Sequence, residues 1–257
     1  MDVTPDFLRN LAAEAAKETL PRFRRPHDVA NKLEGGFDPV TEADREAERA
    51  IRQLIKADFP DHGILGEEFG PENLPNRHCW VIDPIDGTRA FISGLPLWGT
   101  LVGLLEHGKA IAGMMSQPFT GELFYATGGK ALYEGPGGPR DLRVRTTTDL
   151  RHATLCTTTP SLFLDDARTS YDQLEMAVQL ARYGTDCYAY CMLAAGQVDL
   201  VVETGLQAYD IVALIPIIEA AGGMITSRDG GPAESGGFVV AAATPQLHAA
   251  ALDVLNG

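Results

Sequence analysis

The run Trp80-Val81-Ile82-Asp83-Pro84-Ile85-Asp86-Gly87-Thr88 constrains this chain more than any other stretch. Trp80, Val81 and Ile82 predict a short buried strand, which carries Asp83 to the edge of a sheet. Pro84 fixes φ at the next position, and Gly87-Thr88 predicts a turn that opens a helix. Strand and turn together can aim Asp83 and Asp86 at one point. Two carboxylates so close repel each other unless a cation sits between them. Oxygen-only ligands favour a hard ion such as Mg²⁺. The Gly87 and Thr88 N–H groups, at a helix start, favour a bound phosphate. A metal pair beside an anion cradle is the outline of a phosphatase. The same short spacing is also compatible with two loop acids in a turn made by Pro and Gly, so the remainder of the chain decides.

At 257 residues the chain can form one large domain or two small ones. With 45% hydrophobic and 22% charged residues it can build an ordinary globular core. No apolar run reaches the length of a membrane span, so no membrane partner is expected. Met1-Asp2-Val3-Thr4-Pro5-Asp6 lacks the basic-then-apolar order of a signal peptide, and a cytoplasmic location is the default. Cys79, Cys156, Cys187 and Cys191 form no CxxC pair and have no histidine at zinc-finger spacing. Cys187 and Cys191, one helical turn apart, read as buried small apolar residues. The net charge of −14 argues against a nucleic-acid surface, which needs a basic stripe. It also opposes a phosphate substrate unless bound divalent ions invert the local field. Clustered carboxylates in an acidic protein are what a cation-dependent phosphatase requires.

Apolar spacing predicts helices over about 5–23 and 41–57, the second opened by Thr41 as N-cap with Asp44 three residues on. Ile64-Leu65-Gly66 reads as a strand ending at Glu67-Glu68. Segments 97–105, 110–116 and 122–126 read as a meander. Pro and Gly crowd residues 135–139, the best candidate for a boundary, which gives an N-terminal α+β domain over 1–138 and a C-terminal α/β domain over 139–257. In the second half, strands are expected at 153–156, 198–202 and 238–242. Helices are expected at 169–182, 187–196, 209–221 and 245–255. Sheets covered by helices in both halves predict a layered α+β/α/β architecture.

Other acids stand where they could converge. Glu67 ends a strand. Asp210 follows Tyr209 and begins an apolar helix, where an Asp is commonly just a cap. Asp44 is by itself an ordinary first-turn acid, and Glu203 an ordinary loop acid before Thr204-Gly205.

Taken together, these acids match one family in order and spacing. The chain resembles the inositol monophosphatase superfamily of Mg²⁺-dependent, lithium-sensitive phosphatases. The matching pieces are Asp38-Pro39-Val40-Thr41-Glu42-Ala43-Asp44, Gly66-Glu67-Glu68, Asp83-Pro84-Ile85-Asp86-Gly87-Thr88, and Tyr209-Asp210 leading to Glu219-Ala220-Ala221-Gly222-Gly223. They span about residues 5–255, and the resemblance implies the α-β-α-β-α sandwich of the inositol monophosphatase and sugar phosphatase type. Within that superfamily, the stretches 89–101, 183–188 and 201–206 are similar to the histidinol-phosphate phosphatase branch. True inositol monophosphatases typically carry an apolar residue where Asp186 stands, and usually Trp-Asp where this chain has Tyr209-Asp210.

The resemblance implies that Glu67, Asp83, Asp86, Asp210 and the main-chain oxygen of Ile85 hold two or three Mg²⁺ ions, with Asp83 bridging. It implies in-line attack by a metal-activated water, oriented or deprotonated by Thr88 with Glu67, Thr88 being hydrogen-bonded to Asp44. Gly87 and Thr88 N–H groups would hold phosphate oxygens. Asp186, Glu203 and Asp210 lie where the family contacts the leaving alcohol, and Asp186 with Glu203 suits a cationic alcohol such as histidinol by charge pairing. Asp186 can also cap the helix starting near Cys187, a role compatible with the first. The expected substrate is L-histidinol phosphate, with inositol 1-phosphate or a broad range of sugar and nucleotide phosphates as the alternative, and a non-catalytic binding or regulatory protein on the same fold as a third reading. The family also suggests a homodimer. The six histidines form no ligand cluster and are expected to face solvent. Lys32 stands one residue out of step with the family lysine that approaches the phosphate, and its role stays open.

Overall fold

The computed structural model describes residues 3–25, 30–31 and 39–257. Asp38, Lys32 and His27 lie outside the described residues. The layers run α-β-α-β-α. Two helices, Pro5–Thr19 and Glu42–Asp58, form the first layer. Each starts where its caps dictate. Thr4 accepts from the Phe7 N–H ahead of a proline in the first turn, and Thr41 and Asp44 form a reciprocal capping box. Phe7, Leu8, Leu11 and Ala15 on one helix and Ala47, Ile51 and Ile55 on the other bury one stripe each. Those stripes pack on Trp80, Ile82, Val102, Leu104, Ala112 and Met114 of the sheet below.

That sheet has eight strands. Its centre is the long strand His78–Asp86, hydrogen-bonded in parallel to Gly63–Gly66 on one side and antiparallel to Gly99–Glu106 on the other. The expectation that Asp83 lies at a sheet edge is therefore corrected. Its strand is interior, and Asp83 sits near the strand's C-terminal end. Lys109–Gln117, Glu122–Thr127, Lys130–Glu134 and Arg140–Asp141 continue the meander. The Pro- and Gly-rich residues 135–139 join the last two of these, which pair at Arg140↔Tyr133, so the first sheet runs past the expected boundary at 138.

The opposite face of this sheet meets the middle helices, Asp186–Ala194 and the pair Ala208–Ile211 and Leu214–Ala220. Val81, Leu101, Met115 and Phe124 from the first sheet and Cys156, Val201, Val239 and Ala241 from the second share one apolar cluster around them. The strand His78–Asp86 thus buries both faces, as its unbroken apolar run requires. The second sheet runs Leu180–Tyr183, Thr154–Thr157, Leu200–Leu206, Gly237–Ala242, Met224–Ser227 in spatial order. Helices Asp165–Ala177 and Pro245–Asn256 cover its far face.

Three readings are corrected. The helix expected over 169–182 ends at Ala177, and Leu180–Tyr183 extends to pair in parallel with Thr154–Thr157. The helix expected over 209–221 is broken in two around Val212-Ala213. His248 does not face solvent; it is 3% exposed and its Nε2 lies 2.9 Å from the Thr226 hydroxyl. Among the described residues no helix is long and apolar enough to cross a membrane. All four cysteines are free and buried.

The break at Ala213 is held against the first sheet by absence of side chains. A Cβ at Gly113 would lie 2.1 Å from the Ala213 carbonyl oxygen, and one at Gly103 2.7 Å from the Ala213 nitrogen. Both contacts are with backbone, which cannot swing away. This close approach sets the height of the segment that presents Asp210. Gly113→Ala is therefore expected to destabilise by about 1–3 kcal/mol, as overpacking does, and to displace Asp210 as well. Thermal and urea denaturation measure the first effect; unchanged stability would show that the segment does not rest on Gly113.

Candidate active site at the acidic cleft

Asp83 and Asp86 are three positions apart, and regular strand alternation would send their side chains to opposite faces. A bulge resolves this. Asp83 stands opposite Leu101 and Asp86 opposite Gly99, so two residues between the acids face one on the partner strand. The extra residue reverses the parity and turns both carboxylates to one side. Pro84, which has no N–H to contribute to a ladder, sits in the bulge, and its carbonyl accepts from the Thr100 hydroxyl at 2.8 Å. Asp83 Oδ1 accepts from the Ile85 N–H at 3.0 Å. Gly87, at φ 81°, ends the strand and caps the short helix Thr88–Ile92.

Asp210 arrives from the middle layer. One of its oxygens accepts from the Gln207 N–H at 2.6 Å, so the capping role and the site role coexist in one carboxylate. Carboxylate oxygens of Asp83, Asp86 and Asp210 lie within 4.8 Å of one another. Glu67 joins them at the end of its strand, its N–H donating to the Ile82 carbonyl at 3.1 Å. Burial pushes the Asp83 carboxyl well above the usual range, and the charges of Glu67, Asp86 and Asp210 push it the same way. Asp86 is raised by burial first, then by Asp186 and Asp210. An all-oxygen donor set whose members raise one another fits a hard divalent cation, which would remove the repulsion.

Asp44 is 1% exposed and is pushed up to about 6, by burial first and, among the charges, by Glu67. The expected Asp44–Thr88 hydrogen bond is not the arrangement here. The single hydroxyl proton of Thr88 goes to the Ile85 carbonyl at 3.1 Å, and Asp44 Oδ2 accepts from the Thr41 N–H and hydroxyl at 2.8 and 2.6 Å.

The facing wall belongs to the second sheet and its helix. Glu203 is 2% exposed, and burial lifts it to about 8. Its Oε1 accepts from the Thr158 N–H and hydroxyl at 2.6 and 2.9 Å, and its Oε2 from the Thr157 hydroxyl at 3.3 Å. Asp186, raised to about 6 mainly by burial, takes a longer bond from the same Thr158 hydroxyl at 3.4 Å. Asp186 occupies φ 42°, a left-handed conformation that Asp tolerates at modest strain. It does not cap the helix it begins. The Cys187 N–H instead donates to Asp86 Oδ2 at 2.7 Å, so the acid of the first sheet caps the helix of the middle layer. A Cβ on Gly87 would lie 3.3 Å from the Asp186 side chain, which shows how closely the two walls approach.

Between the walls lies a cleft of ≈290 Å³, lined by Glu67, Asp83, Ile85, Asp86, Gly87, Thr88, Asp186, Glu203 and Asp210. Of the site residues singled out from sequence that lie among the described residues, Asp44 alone does not line it. Sequence reasoning missed Thr158, which ties Glu203 to Asp186. It also missed Tyr190, a buried cleft residue whose hydroxyl has no hydrogen-bond partner among the described residues. Burial and the charges of Glu203, Asp86 and Asp210 keep that phenol protonated.

The family model described as "Inositol monophosphatase family" matches residues 2–256. The chain belongs to the inositol monophosphatase family. It is 40% identical over 259 aligned positions to the bifunctional phosphatase IMPL2 of Arabidopsis thaliana, covering 96% of this chain and 73% of that one. It is 39% identical to a histidinol-phosphatase of Chlorobaculum parvum, over 86% and 85% of the two chains. A solved inositol monophosphatase from Zymomonas mobilis superposes with a TM-score of 0.87 at 37% identity, over 98% and 97% of the two chains. In this phosphatase of the family, Glu67, Asp83, Asp86 and Asp210 all line the cleft.

Glu203 gives a pH test. Its carboxyl is raised by folding, so the stability linked to its proton is fully present below its unfolded pKa of 4.5 and is lost as pH rises through about 8. Glu203→Gln fixes the uncharged form. The variant is expected to gain on the wild type in melting temperature, metal-free, from about pH 5 to about pH 8. Parallel melting curves across that range would mean that Glu203 does not titrate high.

Proposed function

We propose that the protein is a Mg²⁺-dependent phosphate monoester hydrolase acting on L-histidinol phosphate. The donors that would hold the ions are Glu67, Asp83, Asp86, Asp210 and the Ile85 carbonyl. Bound divalent ions supply Lewis-acid polarisation of the phosphate and a water of lowered pKa. The chain's own residues do the remaining work. Gly87 and Thr88 offer backbone N–H groups to the phosphate oxygens, at a strand-to-helix turn with room for them because position 87 has no side chain. Glu67 is the acid in the cleft that can accept a proton from the attacking water, and Asp44, which stands outside the cleft and is pushed up to about 6, could act only through Thr88. For Thr88 to orient that water, its hydroxyl must leave the Ile85 carbonyl, which use of that carbonyl as a metal donor favours.

The substrate reading is carried by one observation: Asp186 and Glu203, joined through Thr158, form an acidic wall across the cleft from the triad. Histidinol carries an ammonium and an imidazole beyond its phosphate ester. Buried Glu203 and half-buried Asp186, both held above their ordinary pKa, are ready to ionise against an incoming cation, and a charge-assisted hydrogen bond there exceeds a neutral one. A polyol needs mixed hydrogen-bond partners instead. The histidinol-phosphatase name of the Chlorobaculum relative supports the same choice. The likeness to an inositol monophosphatase structure favours a second reading, a phosphatase of inositol or sugar phosphates.

Steady-state rates with Mg²⁺ on histidinol phosphate and inositol 1-phosphate separate the two. Histidinol phosphate is expected to be preferred by more than about ten-fold in kcat/KM, a difference of ~1.4 kcal/mol; the reverse preference would establish the second reading. Glu203→Gln is expected to lower kcat/KM on histidinol phosphate much more than on an aryl phosphate, and equal losses would remove Glu203 from substrate selection. Asp83→Asn is expected to cost far more than about ten-fold in kcat, or ~1.4 kcal/mol; a smaller loss would rule out a bridging role.

A further inference from the structure

Behind the metal-side wall, helix Glu42–Asp58 carries a buried ion pair that no step above uses. Glu48 is fully buried and Arg52 is 8% exposed, and Arg52 Nε donates to Glu48 Oε1 at 2.7 Å. A buried ion pair is weak evidence for stability, because desolvation offsets most of the attraction. Its remaining hydrogen bonds point to another role. Glu48 Oε2 accepts from the Glu68 N–H at 2.7 Å, and Oε1 takes a longer bond from the Phe69 N–H at 3.4 Å. Arg52 donates to the Gly70 carbonyl and, at 3.1 Å, to Glu72 Oε2. The partners of Glu48 lie on the turn immediately after Glu67, and those of Arg52 on the short strand Gly70–Glu72 that follows the turn.

Glu67 is thereby held on both sides. The amide before its Cα is tied to Ile82, on the strand that bears Asp83, at 3.1 Å. The amide after its Cα is tied to Glu48 at 2.7 Å. Fixing the two peptide planes that flank a Cα fixes both soft dihedrals of that residue. Gly66 completes the fit, since a Cβ there would lie 1.9 Å from Glu48 Oε1. The carboxylate of Glu48 therefore occupies space that any other residue at 66 would claim.

We propose that the Glu48–Arg52 pair is a positioning device for Glu67, holding that side chain beside Asp83 in the geometry a divalent cation needs. The inference rests on the reading of Glu67 as a metal donor. Partners behind a metal ligand typically affect affinity by about ten- to a hundred-fold.

The test is calorimetric titration of the metal-free protein with Mg²⁺, for wild type, Glu48→Gln and Glu48→Asp. Hydrogen exchange of the Glu68 amide and melting temperature are followed in the same samples. Glu48→Gln is expected to weaken Mg²⁺ binding by about ten-fold or more and to speed exchange at Glu68. Turnover is expected to shift to higher Mg²⁺, with kcat largely recovered at saturation. Glu48→Asp keeps the charge but is one methylene short, and is expected to behave like Glu48→Gln. Should the Glu48 variants fail to fold, Gly66→Ala presses on the same contact without changing a charge, and the same loss of Mg²⁺ affinity is expected. Variants with lowered melting temperature but wild-type Mg²⁺ affinity would overturn the positioning role and leave the metal reading intact. A wild type that binds no Mg²⁺ would overturn both.

Discussion

The constraint on which this molecule turns is repulsion among buried acids. Asp83 and Asp86 are raised well above their ordinary range by burial, and the neighbouring carboxylates push in the same direction. Nothing in a folding chain gathers such groups for stability alone, because every one of them prefers water and dislikes the next. What keeps them together is backbone. Asp83 takes the Ile85 N–H, Asp86 the Cys187 N–H and Asp210 the Gln207 N–H. Each acid is thus anchored by one oxygen to a main-chain donor that cannot move without moving a strand or helix.

The layered fold makes this anchoring possible. A strand apolar on both faces must lie between two helical layers, and its end then opens where the helices of the middle layer begin. Glu67, Asp83 and Asp86 come from the ends of two adjacent parallel strands, while Asp210 and Asp186 come from the first turns of middle-layer helices. Helix starts offer unpaired N–H groups, and carboxylates at strand ends accept them. The same complementarity that closes the core therefore collects the acids.

Much of this was legible in the chain. The triad could be read because Asp83-Pro84-Ile85-Asp86 is compact and Tyr209-Asp210 precedes an apolar run. The caps of the first two helices and the central strand could be read from local pattern. What could not be read depends on long-range geometry or on parity. Two acids an odd number apart on a strand give no hint that a bulge will turn both the same way. Leu180–Tyr183 continued an apolar helical pattern, and only the parallel partner Thr154–Thr157 makes it a strand. Glu48 and Arg52 four residues apart look like any exposed helix pair; their burial follows from the turn after Glu67 folding over them. Thr158 gave no signal because its partner, Glu203, lies 45 residues away.

The bond from the Cys187 amide to Asp86 has a mechanical meaning beyond capping. It is a strut between the two halves of the cleft, fastened at one end to an acid of the first sheet and at the other to the residue following Asp186. Neither half can swing open without breaking it. The bond thus acts together with the apolar cluster that both sheets share to hold the cleft at its present width.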